Sequence, residues 1–256
     1  MQTLRTCCWI LSIAILALVG CKKDDDNAQP EQTTNTTPAQ CDLTVTFWFR
    51  NGFSPYQLSD IFEDAGANLV RFNKVRLLFS NFRQLDDAGN VVTAFPNVVV
   101  LADMANGANG TYHLGTVPAG EVRRLAFDIG LDPATNAMAP SQFSGPPLSD
   151  PTLFINNTLG HRFVTFEGHV NADGNLSLTD DDQVVTYQAA TDAALRHDEV
   201  TANLLAVAGN GPVNVIVPIQ LMNILNGINL VNTPSSIGAG APIVQLMSNV
   251  QAAVGG

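Results

Sequence analysis

Short runs of alternating apolar and polar residues, each closed by a cluster of turn formers, recur along most of this chain. Residues 43–49, Leu-Thr-Val-Thr-Phe-Trp-Phe, begin the pattern. Residues 163–170 repeat it, with Phe163, Thr165, Glu167 and His169 on one side and Val164, Phe166 and Val170 on the other. A period of two is the signature of a strand, because successive side chains point to opposite faces. Further strands are expected at 75–79, 91–92, 97–101, 124–129, 184–187, 200–207 and 213–219. Asp86-Asp87-Ala88-Gly89-Asn90 and Asn171-Ala172-Asp173-Gly174-Asn175 supply turns, the second of hairpin type. Many short strands punctuated this way predict an all-β fold, an antiparallel β-sandwich. One helix is expected at the C-terminus. Pro242 suits its first turn, and Ile243, Leu246, Met247, Val250 and Val254 form one apolar stripe. A second short helix or turn is expected over 59–64.

The N-terminus has a different character. Arg5 precedes an apolar run from Trp9 to Val19, and Gly20 and Cys21 follow. The run is far shorter than the roughly 20 residues that a membrane helix needs. It therefore reads as a secretory leader. Leu18-Val19-Gly20-Cys21 resembles the lipobox of bacterial lipoproteins, which implies cleavage before Cys21 and lipid attachment to it. The following Lys22-Lys23-Asp24-Asp25-Asp26 resembles the surface-export signal of Bacteroidota-type lipoproteins. Residues 27–41 are rich in Gln, Thr, Asn and Pro and bury too little to be ordered. The expected organisation is a leader over 1–20, a lipidated cysteine and flexible tether over 21–42, and one domain over 43–256. The expected location is the outer membrane, facing the surface or the periplasm, with the membrane as partner through lipid on Cys21.

Cys7 and Cys8 leave with the leader and Cys21 carries lipid, so Cys41 is the one thiol left and has no cysteine to pair with. The domain must depend on its apolar core. The chain has 12 basic and 23 acidic residues. An acidic balance argues against a nucleic-acid partner. Hydrolase and phosphate-loop signatures are absent, so no enzyme is expected. The carboxylates Asp128, Asp132 and Glu167 show no spacing that marks a glycosidase pair. The histidines are His113, His161, His169 and His197. Placed on one strand, His161 and His169 would lie about 26 Å apart. Glu167 and His169 fall on one face about 7 Å apart. They are the best-spaced ligand pair, with His161 as a third candidate, against the plainer reading of ordinary surface histidines. A stretch from Asn171 to Asp182 offers alternating oxygen donors, loosely like a calcium loop, but its glycine is Gly174, at the fourth position rather than the sixth.

Several motifs in order resemble the MbnP-like copper-binding family. Residues 74–82, ending in Ser80-Asn81-Phe82, are similar to the family strand that closes on Ser-Asn. Val117-Pro118-Ala119-Gly120, then Phe127-Asp128-Ile129-Gly130-Leu131-Asp132, resemble the family's "vPaG" and "F-x-I-G-V-D". Leu148-Ser149-Asp150-Pro151 and Gly160-His161-Arg162-Phe163, leading to Glu167-Gly168, resemble "L-D-P" and "G-Y-x-F-x-x-x-E-G". Ser248-Asn249-Val250 is similar to the family's closing Asn-Ile. The resemblance implies a β-sandwich and a copper site of tryptophan and histidine. At the two tryptophan positions this chain has Ile155 and Asn157, and at a histidine position Gln188. A further family histidine falls within 233–237, which has none. A neutral amide is a poor copper ligand beside imidazole. The resemblance therefore implies a non-catalytic binding or interaction module with a degenerate copper site and no cofactor there. The alternative is copper held by relocated ligands, drawn from His161, Glu167, His169, His113 or His197. The protein or metal partner is not legible.

Overall fold

The computed structural model describes residues 39–255 except Leu176. The leader, Cys21 and most of the tether lie outside the described residues. Fifteen strands follow in order: β1 (Gln40–Asn51), β2 (Ser54–Pro55), β3 (Phe62–Glu63), β4 (Leu69–Leu85), β5 (Val91–Phe95), β6 (Val100–Asp103), β7 (Asn109–Pro118), β8 (Gly120–Ile129), β9 (Phe154–Asn156), β10 (Gly160–His161), β11 (Val164–Val170), β12 (Gln183–Ala189), β13 (Arg196–Ala206), β14 (Val213–Gln220) and β15 (Ser235–Gly238). Two α-helices, α1 (Pro133–Asn136) and α2 (Ala241–Ala253), accompany them. Among the described residues, no helix is long and apolar enough to cross a membrane.

The strands form the expected sandwich. One sheet is centred on β1, flanked by β14 and β7, with β2 at its end. The other runs β13-β8-β4-β11-β12-β15, and β3, β5 and β6 also pair with β4. Alternation along β1 sends Leu43, Val45, Phe47 and Phe49 inward, each almost wholly buried. Phe47 stacks on Phe79 of β4 with ring centroids 3.8 Å apart, and Phe127 of β8 meets it edge-on at 6.1 Å. Fully burying one such ring contributes roughly 1.5–3 kcal/mol, so these contacts between sheets dominate the core. Most pairings are antiparallel. Two are parallel: β1 with β14 and β12 with β15. The C-terminal helix buries Ile243, Leu246, Met247 and Val250, the stripe read from the sequence.

Two expectations are corrected and a third is met only in part. His161 is not on the strand of His169: β10 ends at His161 and β11 begins at Val164. The cause lies in the backbone. Arg162 N–H turns to Leu153 O, whereas Phe163 N–H joins the large sheet at Ala189 O. Over 59–64, expected as a short helix or turn, a turn forms and leads into the strand β3, which was not expected, because Phe62 buries its ring against Phe72 at 5.3 Å and pairs with Val70. The link after β11 is longer than a hairpin turn and extends to β12 at Gln183.

Candidate functional site

Of the family positions, Gln188 lies on β12 beside β11 in the large sheet, and Ile155 lies on β9. Thr165 lies opposite Gln188, and Glu167 opposite Lys74. Gln188 is buried and its amide is hydrogen-bonded at both ends. Its Oε1 accepts from Arg162 Nε at 2.8 Å, and its Nε2 donates to Glu167 Oε1 at 3.1 Å. Glu167 Oε2 accepts from Lys74 Nζ at 2.9 Å. Arg162 Nη1 donates to Thr152 O at 2.7 Å and Phe154 O at 3.1 Å, so it ties Gln188 to the strand that carries Ile155. Desolvation pulls the Arg162 pKa down, Glu167 opposes this, and Arg76 adds to it as a like charge. An arginine stays protonated in a protein regardless. A fixed guanidinium thus lies between Gln188 and β9.

Ile155 is half-buried on β9. Asn157 is exposed and lines a separate small cavity of about 120 Å³ with Asn136, Gly160 and Asp192. The three family positions therefore do not converge on one pocket.

The candidate ligands do not gather into one cluster among the described residues. His161 is completely buried between Phe154, at 5.1 Å, and Phe143, at 5.8 Å. Neither ring nitrogen has a hydrogen-bond partner. Burial lowers its pKa, and the nearby backbone of Asn136 and Leu148 only partly offsets that. Its imidazole is therefore neutral at pH 7. His169 lies 3.3 Å from Asn73 Nδ2, through Nδ1. His113 Nε2 lies 3.3 Å from Asp42. Among the described residues, no group of three or more His, Cys, Asp or Glu side chains is placed to hold a metal ion. The stretch after Asn171 is knotted on itself. The Asn171 amide donates to Asn175 O, Asn175 Oδ1 and Ser177 O, and Asp173 accepts from Asn175 N.

Two arrangements escaped the sequence reading. Asp128 is buried beneath three donors: Asn81 Nδ2 at 2.9 Å, His197 Nδ1 at 2.7 Å and Arg83 Nη2 at 3.4 Å. The His197 ring is largely exposed beyond it. Asn81 reaches Asp128 because it adopts a left-handed conformation, φ 51°, at a bulge between Ser80 and Arg83. An Asn in the Ser-Asn motif was the available signal, since Asn tolerates that region. Beside the bulge, a cleft of about 570 Å³ opens between β4 and the 131–148 segment, lined by Ser80, Asn81, Val99, Asp132, Phe143 and Leu148 among others. Asp132 caps α1. Burial raises its pKa, but hydrogen bonds from Thr135 and Ala134 outweigh this and lower it, so the carboxylate is ionised.

These features define a class, a β-sandwich scaffold with polar clusters on its outer faces and a cleft at one end. The chain belongs to the MbnP family, whose family model matches residues 33–239. Among solved structures it is similar to MbnP from Methylosinus trichosporium, at 16% identity and a TM-score of 0.47, covering 73% of this chain and 78% of that one. No curated protein matches the sequence.

Proposed function

We propose that this protein is an outer-membrane lipoprotein, anchored through Cys21, whose MbnP domain is a non-catalytic binding or interaction module without the copper site of its family. The observation that carries this reading is Arg162. Its guanidinium bonds Gln188 and the backbone of β9, between the positions where the family pattern calls for imidazole and indole. A fixed positive charge repels a metal cation, and a neutral amide whose oxygen already accepts from that guanidinium is a poor copper ligand beside imidazole. The residues present do not fit copper. The leader and lipobox support the anchor, and the acidic stretch after Cys21 supports surface exposure.

The test uses the full chain expressed with its leader in a Gram-negative host. The protein is expected in the membrane fraction, and Cys21→Ala is expected to release it to the soluble fraction. Detergent-solubilised protein titrated with copper is expected to show no stoichiometric binding below micromolar concentration. Sub-micromolar, one-to-one copper binding would overturn the loss of the site. A Cys21→Ala chain that stays membrane-bound would overturn the anchor.

A further inference from the structure

We propose that the outer face of the small sheet, built on β1, β7 and β14, docks a carboxylate-bearing polysaccharide. Thr44, Thr46, Trp48 and Arg50 of β1 alternate with the buried core residues and therefore share the outward face. Beside them in register lie Asn214, Ile216, Pro218 and Gln220 of β14, and Asn109, Thr111 and His113 of β7. The chain is acidic, with 23 Asp and Glu against 12 Lys and Arg. Yet this face holds a carboxylate only at one end, Asp42, which is beside His113.

At the other end the face terminates in an aromatic–arginine stack. The Arg50 guanidinium carbon lies 4.6 Å from the centre of the Trp48 ring and 5.7 Å from that of Phe53. Phe53 is 95% exposed at the tip of the β1–β2 turn. Gly52, at φ +61°, makes that turn, and Gln220 Nε2 braces it by donating to Gly52 O at 3.1 Å. Among the described residues Arg50 makes no hydrogen bond or ion pair, and its Nε is buried without a partner. Every other Lys and Arg among them has an oxygen partner. An arginine stacked against two rings and left without a carboxylate has its terminal nitrogens free for one.

The rest of the face decides the chemistry of the occupant. It sets the hydroxyls and amides of Thr44, Thr46, Thr111, Asn109, Asn214 and Gln220 beside the apolar Trp48, Ile216 and Pro218, so polar groups and apolar surface alternate along it. Asn214 Oδ1 accepts from both Thr44 and Thr46 at 3.0 Å, which leaves its NH2 to donate outward. Sugar rings offer C–H faces that stack on aromatic and guanidinium planes, and hydroxyls that pair with Thr, Asn and Gln. From Thr44 to Arg50 the row spans about 20 Å, longer than one sugar ring, so the occupant is a polymer. The acidic remainder of the chain is screened beyond about 8 Å at physiological ionic strength. This face is separate from the Gln188 cluster, and its test is independent of copper and of the anchor.

The experiment measures binding of the full chain, in detergent at physiological salt, to polygalacturonate. Neutral dextran and poly-glutamate of matched carboxylate concentration serve as comparisons. Binding is expected to polygalacturonate, with dextran and poly-glutamate at least tenfold weaker. Arg50→Gln is expected to weaken binding at least tenfold, and Arg50→Lys and Phe53→Ala each several-fold. Val184→Ser, exposed on the other sheet, is expected to leave it unchanged. Phe53 packs so little that its variants fold. Three results would each overturn the proposal: no binding to polygalacturonate, equal binding to poly-glutamate, or unaltered binding by both Arg50→Gln and Phe53→Ala. The second would make the face an acidic-peptide site.

Discussion

At the scale of single residues, His161 is the most anomalous side chain in the domain. Its imidazole is completely buried and neither nitrogen is satisfied. A buried donor or acceptor without a partner costs about 1–3 kcal/mol. The aromatic pair Phe143 and Phe154 already forms an apolar seat around the ring. His161→Phe should therefore be neutral or stabilising by about 1 kcal/mol at pH 7, read by urea denaturation. The pH dependence follows from the lowered pKa. The unfolded chain takes up a proton near 6.5, and the folded chain does so only at lower pH. Stability from this residue is thus present above 6.5 and lost as pH falls from there through the folded value. The Phe variant should lose less stability than the wild type over that acid range. A parallel decline in both would show that His161 does not carry the effect. The sequence identified His161 as a ligand candidate but carried no sign of its isolation, because burial by Phe143 comes from a loop 18 residues away.

At the scale of elements, the strands with clean alternation were legible and the irregular ones were not. β1 and β11 have inward faces set by a period of two; β11 was read almost to its ends, and β1 over its central 43–49. β4 runs 17 residues with its regular register interrupted at Asn81, and no period-two reading passes through such a bulge. The Glu-Gly pair of β11 illustrates the same limit. The register against β4 slips between Glu167 and Gly168. A Cβ at Gly168 would lie 2.0 Å from Arg71 O and 2.7 Å from Phe72 Cα, both backbone atoms. Backbone cannot rotate aside as a side chain does, so an added methyl must push the two strands apart. Gly168→Ala should cost about 3 kcal/mol. A denaturation midpoint equal to the wild type would show that the sheet relaxes at no cost. The same strain would displace Glu167 and so disturb its bonds to Lys74 and Gln188.

At the scale of the whole molecule, closure depends on contacts that join distant parts of the sequence. β1 pairs in parallel with β14, so the first long strand waits for residues 213–220 before its edge is covered. Such pairings leave no local trace, which is why the sandwich was legible but its strand order was not. Asp64 is a second closure, at the other side of the fold. It is buried, and its Oδ1 accepts from Gly66 N at 2.8 Å and Asn68 N at 3.0 Å. Its Oδ2 accepts from Leu230 N at 2.6 Å, and Ala65 N–H donates to Ile228 O beside it. One carboxylate thus gathers the β3–β4 turn and fastens it to the segment that leads into β15. Asp64→Ala strands the buried Leu230 N–H together with the backbone N–H groups of Gly66 and Asn68 and the Asn68 side-chain amide, and should destabilise the domain by about 3 kcal/mol. For a domain of this size that lowers Tm by roughly 6–12 °C. Asp64→Asn keeps the shape but supplies one carbonyl oxygen where two carboxylate oxygens accept, so it should fall between alanine and the wild type. Calorimetry that places Asp64→Ala within about 1 °C of the wild type would mean that water or a shifted turn satisfies those donors, and that the latch does not hold the two segments together.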